Sequence, residues 1–398
     1  MITVQTALNI IRENKQDFGI ETVPISTAIG RVLREELRTD RDLPPYNRVT
    51  MDGIAIQHTQ FEEGSRQFPI EGIAPAGSPQ LTLKTPRNCL EVMTGAVLPN
   101  NVDTVIRYED VRIENGVATI LVDELKKGKN IHRQGEDRKK GDLIVKSGAV
   151  ISPAEVGVAA TIGKKELKVA RLPKTIIIST GDELVEIDQQ PLPHQIRKSN
   201  VHRLQATLAK HQIKAERHHL NDDMALIEKE LTRIINTYEV VILSGGVSKG
   251  KFDFLPEALA NLGVIKLFHK IRQRPGKPFW FGKAPNGTLV FALPGNPISS
   301  FLCTQRYFLS WLSESLALPS SVRPHGILTE SATFKPDLTY FLQVKVSYNE
   351  LGQILATPVS GNGSGDLANL VDATAFLQLP RGQEVFEKGA AYPIIFYR

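Results

Sequence analysis

Three stretches of the chain share a form suited to holding an anion: TIIISTGDE at 175–183, VVILSGGVSKGKFDF at 240–254 and LVFALPGNPISS at 289–300. In each, a run of apolar, strand-forming residues ends in a glycine turn. The carboxyl ends of strands in an open parallel sheet lie along one edge, where such folds bind ligands. The turns at Gly181, at Gly245 and Gly246, and at Pro294-Gly295-Asn296-Pro297 are therefore expected to converge on one crevice. Glycine lets the backbone approach a ligand closely, and exposed amide groups beyond a strand favour a phosphate or another oxyanion. Asp182, Glu183 and Asp253 lie among these turns, and carboxylates beside a phosphate suit Mg²⁺, which takes oxygen ligands and bridges carboxylate to phosphate. Taken singly, each turn is explained as the bend out of a strand and each acid as a solvated loop residue. Their grouping is what points to a site. Arg274-Pro275-Gly276-Lys277-Pro278 adds two permanent cations on a proline-stiffened turn, close enough in sequence to clamp one oxyanion, although alone it reads equally well as a solvated basic turn.

Other chemistries find less support. Gly245 to Lys251 spells GxxxxGK after a buried strand, but Phe252 follows, so the magnesium-binding hydroxyl of a nucleotide-hydrolase loop is missing. No Ser-His-Asp or Cys-His arrangement emerges, and the nine histidines show no metal-ligand spacing beyond adjacent His218 and His219. Cys89 and Cys303 are the only cysteines and lie far apart, which excludes a CxxC pair and a cysteine zinc site and fits a reducing compartment. With 41% hydrophobic and 23% charged residues the chain reads as packed rather than disordered, and its net charge of +5 without a basic tract fits anionic small molecules better than nucleic acid. No apolar run is long enough for a membrane span and the first residues do not form a signal peptide, so a cytoplasmic location is expected.

The elements that must position these residues follow from pattern. Residues 3–14 carry helical spacing, and Ile25 to Leu37 carries a second such pattern after Pro24. From Leu43 to about Leu143 short runs of Val, Ile and Leu broken by Gly, Pro and Asn read as a small β domain. Its loops carry Asn47, Thr50, Asp52, Thr94 and Glu109, and IHRQGEDRKKGD crowds Asp137 among charges, a solvated loop by itself. Ser152-Pro153-Ala154-Glu155 supplies a capping box with proline at the first helical position, closed by Gly163. Beyond Leu172, apolar strands alternating with amphipathic helices imply a parallel sheet covered on both faces, with Asn286-Gly287 turning one edge antiparallel. Short strands through Arg398 imply an all-β tail. The resulting parse is 1–42 with 144–171, 43–143, 172–318 and 319–398.

The ordered set LPPYNRVTMDG, EVMTGAVLPNNVDTVIRYED, GEDRKKGD, STGDELVE, SNVHRLQATL, LSGGVSKGKFDF, RPGKPFWFG, LPGNPISS and GNGSG resembles the molybdopterin molybdenumtransferase family, MoeA and the E domain of gephyrin, over nearly the whole chain. The resemblance implies a helical and extended first domain, a β domain inserted in it, a doubly wound α/β domain of molybdopterin-binding type and a C-terminal β-barrel. It implies a homodimer with the active site between chains, and insertion of molybdenum from molybdate into adenylylated molybdopterin, with Mg²⁺ and release of AMP. Molybdopterin adenylyltransferase and apo-molybdoenzymes are the partners it implies. Carried over by position, Gly245, Gly246 and Ser248 cradle the pterin phosphate beside Pro294, Gly295 and Asn296. Asp182, Glu183, Asp222 and Asp253 take acidic roles near substrate or magnesium, with Glu183 and Asp253 as the metal ligands. Asp222 is also read as the N-cap of the helix that follows. Asp52, Thr94 and Asp137 join from the facing region. Arg274, Lys277, Ser299 and Ser364 form the molybdate pocket.

Departures from the family pattern accompany these matches. Asn47 and Val49 stand in a segment usually written DNSAMDG, so a carboxylate becomes an amide. Arg274 replaces the first lysine of KPGKP, Lys249 replaces an apolar residue, and Gln343 aligns where an arginine is frequent, with Lys345 nearby. These changes fall on molybdate handling more than on pterin binding. Two further readings stand beside insertion: an adenylyltransferase, which the α/β domain alone would suit, and a non-catalytic pterin-binding or scaffolding paralogue. The MDG and MTGA segments favour insertion over adenylylation, and tight pterin binding without AMP release would mark the paralogue.

Overall fold

The structure, a computed structural model, describes residues 1–246, 254–318, 322–361, 363 and 365–398. It divides into two compact units, one formed by Met1–Glu21, Gly30–Val32 and Lys168–Arg398, the other by Thr22–Ile29 and Leu33–Leu167. Helix α1 (Val4–Glu13) buries Val4, Ala7, Leu8 and Ile11 along one stripe and is capped by Thr3, whose side chain accepts from the Thr6 amide. The helical pattern over Ile25 to Leu37 does not become a second helix. A single 3₁₀ turn forms at Ile25–Thr27, Gly30 then takes a left-handed φ of 80°, and Leu37–Arg38 is extended.

The second unit holds a six-stranded sheet of β1 (Gly53–Ile56), β2 (Gln67–Ala74), β3 (Cys89–Val92), β4 (Thr104–Arg107), β5 (Val111–Glu114) and β6 (Val117–Ile120), in the order β4-β1-β3-β2-β6-β5. Asn115 and Gly116, both at positive φ, make the tight β5–β6 turn. Alternate residues of β1 face different cores: Ala55 packs with Leu90 and Val105, whereas Ile54 and Ile56 pack with Phe68 and Ile106. Helix α2 (Pro153–Thr161) carries the expected capping box and proline start.

In the first unit the α/β sheet is built from β7 (Thr175–Thr180), α3 (Ser199–Lys210), β8 (Glu216–Leu220), α4 (Met224–Ile235), β9 (Val240–Ser244), α5 (Leu255–Asn261), β10 (Ile265–His269), β11 (Trp280–Lys283), β12 (Leu289–Leu293), α6 (Pro297–Cys303) and α7 (Leu309–Ser315). Strand order is β8-β7-β9-β12-β11-β10, parallel through β12 and antiparallel across the last two pairs. The Asn286-Gly287 turn does join antiparallel strands. However, β11 is not the edge, because β10 pairs on its outer side. The strands are buried on both faces for a clear reason. Ile177, Ile242 and Phe291 pack under Leu204 and Leu208 of α3, while Ile176, Val241 and Val290 pack under Ile227 and Leu231 of α4.

The tail is a closed barrel of five strands. β13 (His325–Leu328), β14 (Thr339–Tyr348), β15 (Ile354–Pro358), β16 (Ala375–Leu379) and β17 (Ala391–Phe396) pair in the cycle β14-β15-β13-β17-β16, and β16 pairs back on β14. Gln273 and Arg274 extend this sheet by pairing with Thr339 and Tyr340. The basic turn is therefore hydrogen-bonded to the barrel. Among the described residues, no helix is long and apolar enough to cross a membrane.

Candidate active site

The carboxyl ends of β7, β9 and β12 open into a cavity of about 740 Å³. Its wall includes Gly181, Glu183, Asp222, Gly245, Gly246, Arg274, Lys277, Pro294, Gly295, Asn296 and Ser299. The Gly245 amide donates to the Leu293 carbonyl at 3.1 Å, and a Cβ on Gly295 would lie 3.7 Å from the Gly245 Cα. The two turns therefore touch. Gly246 has φ of 69°, and a Cβ there would fall 2.4 Å from Leu255 Cδ1, so a side chain would strain the backbone and have to displace Leu255.

The cations stand on a buried support. Gln273 is wholly buried and donates to the Pro275 carbonyl at 3.0 Å, while its Oε1 accepts from the Tyr307 hydroxyl. Tyr307 comes from a π-helical turn, Thr304–Phe308, that links α6 to α7. Gly276, at φ of 86°, rests on Cys303 and Gln273. Burial pushes both the Cys303 thiol and the Tyr307 phenol upward, so each stays protonated. Arg274 and Pro275 also wall a second cavity of about 260 Å³, with Tyr340 stacked on Phe334 at 4.2 Å and Gln343 beside them. The Gln343 Oε1 is buried there without a hydrogen-bond partner among the described residues.

Glu183 and Asp222 line the main cavity, whereas Asp182 accepts from the Asp222 amide at 3.2 Å and does not line it. The N-cap of α4 is Asp223 and not Asp222, because the Asp223 carboxylate is the one that reaches the Leu226 amide, at 2.9 Å. Among the described residues, no group of three or more His, Cys, Asp and Glu side chains could hold a metal. Ser248, Lys249, Asp253 and Ser364 lie outside the described residues. Asn200 and Lys198 also line the cavity. Lys198 is 8% exposed and paired with Glu186 at 2.6 Å, and sequence patterning gave neither residue a role.

The residues expected from the other unit form local clusters of their own. The Thr94 amide and hydroxyl both donate to Asp52 Oδ1, at 2.6 and 2.7 Å, and the amide bond above all holds this carboxyl below its usual range. Asp137 meets His132 at 3.1 Å, and Asn47 Oδ1 accepts from the Gln134 amide at 2.9 Å. The amide oxygen of Asn47 thus fills an acceptor position that a carboxylate would also fill.

A doubly wound α/β domain with an oxyanion-suited crevice is a ligand-binding class, and its match narrows the class. Residues 176–314 match the model of a probable molybdopterin binding domain. Residues 2–163 match the MoeA N-terminal region, domains I and II, and residues 325–397 match the MoeA C-terminal region, domain IV. The chain belongs to the MoeA family of molybdenum cofactor biosynthesis. A molybdopterin molybdenumtransferase of Synechocystis sp. is 41% identical over 99% of both chains, and one of Bacillus subtilis is 30% identical over 100% of this chain and 94% of its own. Two crystal structures of the molybdopterin biosynthesis MoeA protein from Pyrococcus horikoshii superpose with TM-scores of 0.83 and 0.81 at 27% identity, covering all of this chain and 99% and 100% of theirs.

Proposed function

We propose that this chain inserts molybdenum from molybdate into adenylylated molybdopterin with release of AMP. The reading is carried by the cavity in which three glycine turns, two carboxylates and the cations Arg274 and Lys277 meet. Family matches on both sides of the α/β domain support insertion over adenylylation alone. Gly245, Gly246 and Ser248 cradle the pterin phosphate, and Pro294, Gly295 and Asn296 form the opposing lip. Arg274, Lys277, Ser299 and Ser364 receive molybdate, a tetrahedral dianion that cations and hydroxyl donors suit. Gln343 offers it a neutral amide in place of an arginine fork, which weakens retention of the dianion.

Glu183 fits Mg²⁺ as an oxygen donor on the cavity wall, since this ion keeps water and needs one or two carboxylates beside substrate phosphates. Asp253 is its proposed second ligand. The ion supplies charge neutralisation at the phosphates. Asp182 fixes the Asp222 backbone, and Asp222 faces the substrate. The chain works in the cytoplasm as a homodimer of four-domain subunits, with Asp52, Thr94 and Asp137 of a second copy completing each site. Molybdopterin adenylyltransferase delivers the substrate and apo-molybdoenzymes receive the product.

Glu183→Ala tests the reading. It should lower reactivation of a metal-free molybdoenzyme by about tenfold or more, as expected for a lost charged contact, while light scattering still gives the mass of two 44.0 kDa chains. Full reactivation would remove Glu183 from the site, and a monomeric wild-type chain would remove the shared-site arrangement.

A further inference from the structure

Arg203 lies outside both cavity walls described above, yet its bonds run to the wall of the main one. One nitrogen, Nη2, donates to Asn200 Oδ1 at 3.0 Å and to Ser300 Oγ at 2.7 Å. Because the guanidinium engages Oδ1, the Asn200 amide must turn its Nδ2 outward, and that group donates to the Gly295 carbonyl at 2.6 Å. Ser300 in turn donates to the carbonyls of Asn296 and Pro297, at 3.3 and 3.1 Å. Two routes therefore lead from one side chain to the Pro294–Pro297 turn, and Gly295 of that turn abuts Gly245.

The packing of α3 does not explain an arginine at this position. The helix is anchored by Val201, Leu204 and Leu208, and the guanidinium lies over Phe301 at 5.3 Å. Its Nε and Nη1 are buried without partners among the described residues, a cost that an apolar side chain would avoid. Burial lowers the guanidinium to about 10, so it remains a cation at neutral pH and its bonds to neutral acceptors are charge-assisted.

We infer that Arg203 is a positioning residue of the cavity, holding the Pro294–Pro297 turn against the Gly245–Gly246 turn through Asn200 and Ser300 and so fixing the width of the anion cradle. Its effect on substrate affinity rests on the proposed function, whereas the positioning itself does not. Arg203→Met keeps an apolar contact with Phe301 and removes the tether.

Hydrogen exchange on the full chain without ligand reads the positioning directly. In Arg203→Met the amides of 244–246, 293, 295 and 296 should exchange about tenfold faster, the size of a lost charged hydrogen bond. Exchange across β7 and the melting midpoint should stay near wild type. Ser300→Ala, which severs one route, should loosen 294–297 alone. Adenylylated molybdopterin should bind Arg203→Met about tenfold more weakly, with partial recovery in Arg203→Lys, a split that loss of stability alone would not produce. Unchanged exchange in the two turns, or exchange raised evenly across the domain with a lower midpoint, would overturn the inference. Failure of the wild-type chain to bind the pterin would instead remove the proposed function, and the exchange result would still decide the role of Arg203.

Discussion

Asp52 shows what the amide of one residue, joined by its hydroxyl, does for a carboxylate on an exposed loop. Hydrogen bonds from Thr94 favour the ionised form, so the carboxyl titrates below its usual range. The stabilisation linked to it is present above the unfolded-state value and is lost as pH falls through the lower folded value. Thr94→Val keeps the amide donor and removes the hydroxyl. Asp52 should then titrate at higher pH in a carboxyl-detected NMR titration, and an unchanged midpoint would contradict this account. Three other residues differ in how well sequence placed them. Asn47 departs from the family in charge, but its oxygen keeps an acceptor role toward Gln134 that resemblance alone did not reveal. Asp222 and Asp223 are adjacent acids at a helix start, and only backbone geometry decides which one caps.

At the scale of elements, the basic turn depends on what lies beneath it. Gly276 has a left-handed φ, and a Cβ would meet Cys303 Sγ and Gln273 Nε2 at 2.7 Å each. Gly276→Ala should cost about 1–3 kcal/mol, typical of backbone strain. It should also weaken molybdate binding by displacing Arg274 and Lys277. A wild-type melting curve with wild-type molybdate affinity would show that the turn tolerates the change. This support was not legible in the sequence, because Gln273, Cys303 and Tyr307 are ordinary residue types far apart along the chain. The strands and turns of the α/β domain were legible, since runs such as VVILS are apolar throughout and end in glycine. The supposed helix over Ile25 to Leu37 failed because apolar spacing says nothing of the left-handed Gly30 within it. The antiparallel edge was half legible: Asn286-Gly287 marked the hairpin, but β10 pairs outside it without a tight-turn signal.

For the whole molecule, the family matches span nearly the full chain, and the net charge of +5 suits substrates that carry phosphate and molybdate. Asn47, Arg274 and Gln343, where the sequence differs from the pattern that the family resemblance implies, make turnover the central question. The most direct measurement is AMP release from adenylylated molybdopterin by the purified chain with Mg²⁺, with and without molybdate. The account predicts release that depends on molybdate and accompanies reactivation of a metal-free molybdoenzyme. Tight binding of the pterin with no AMP released at any molybdate concentration would contradict it.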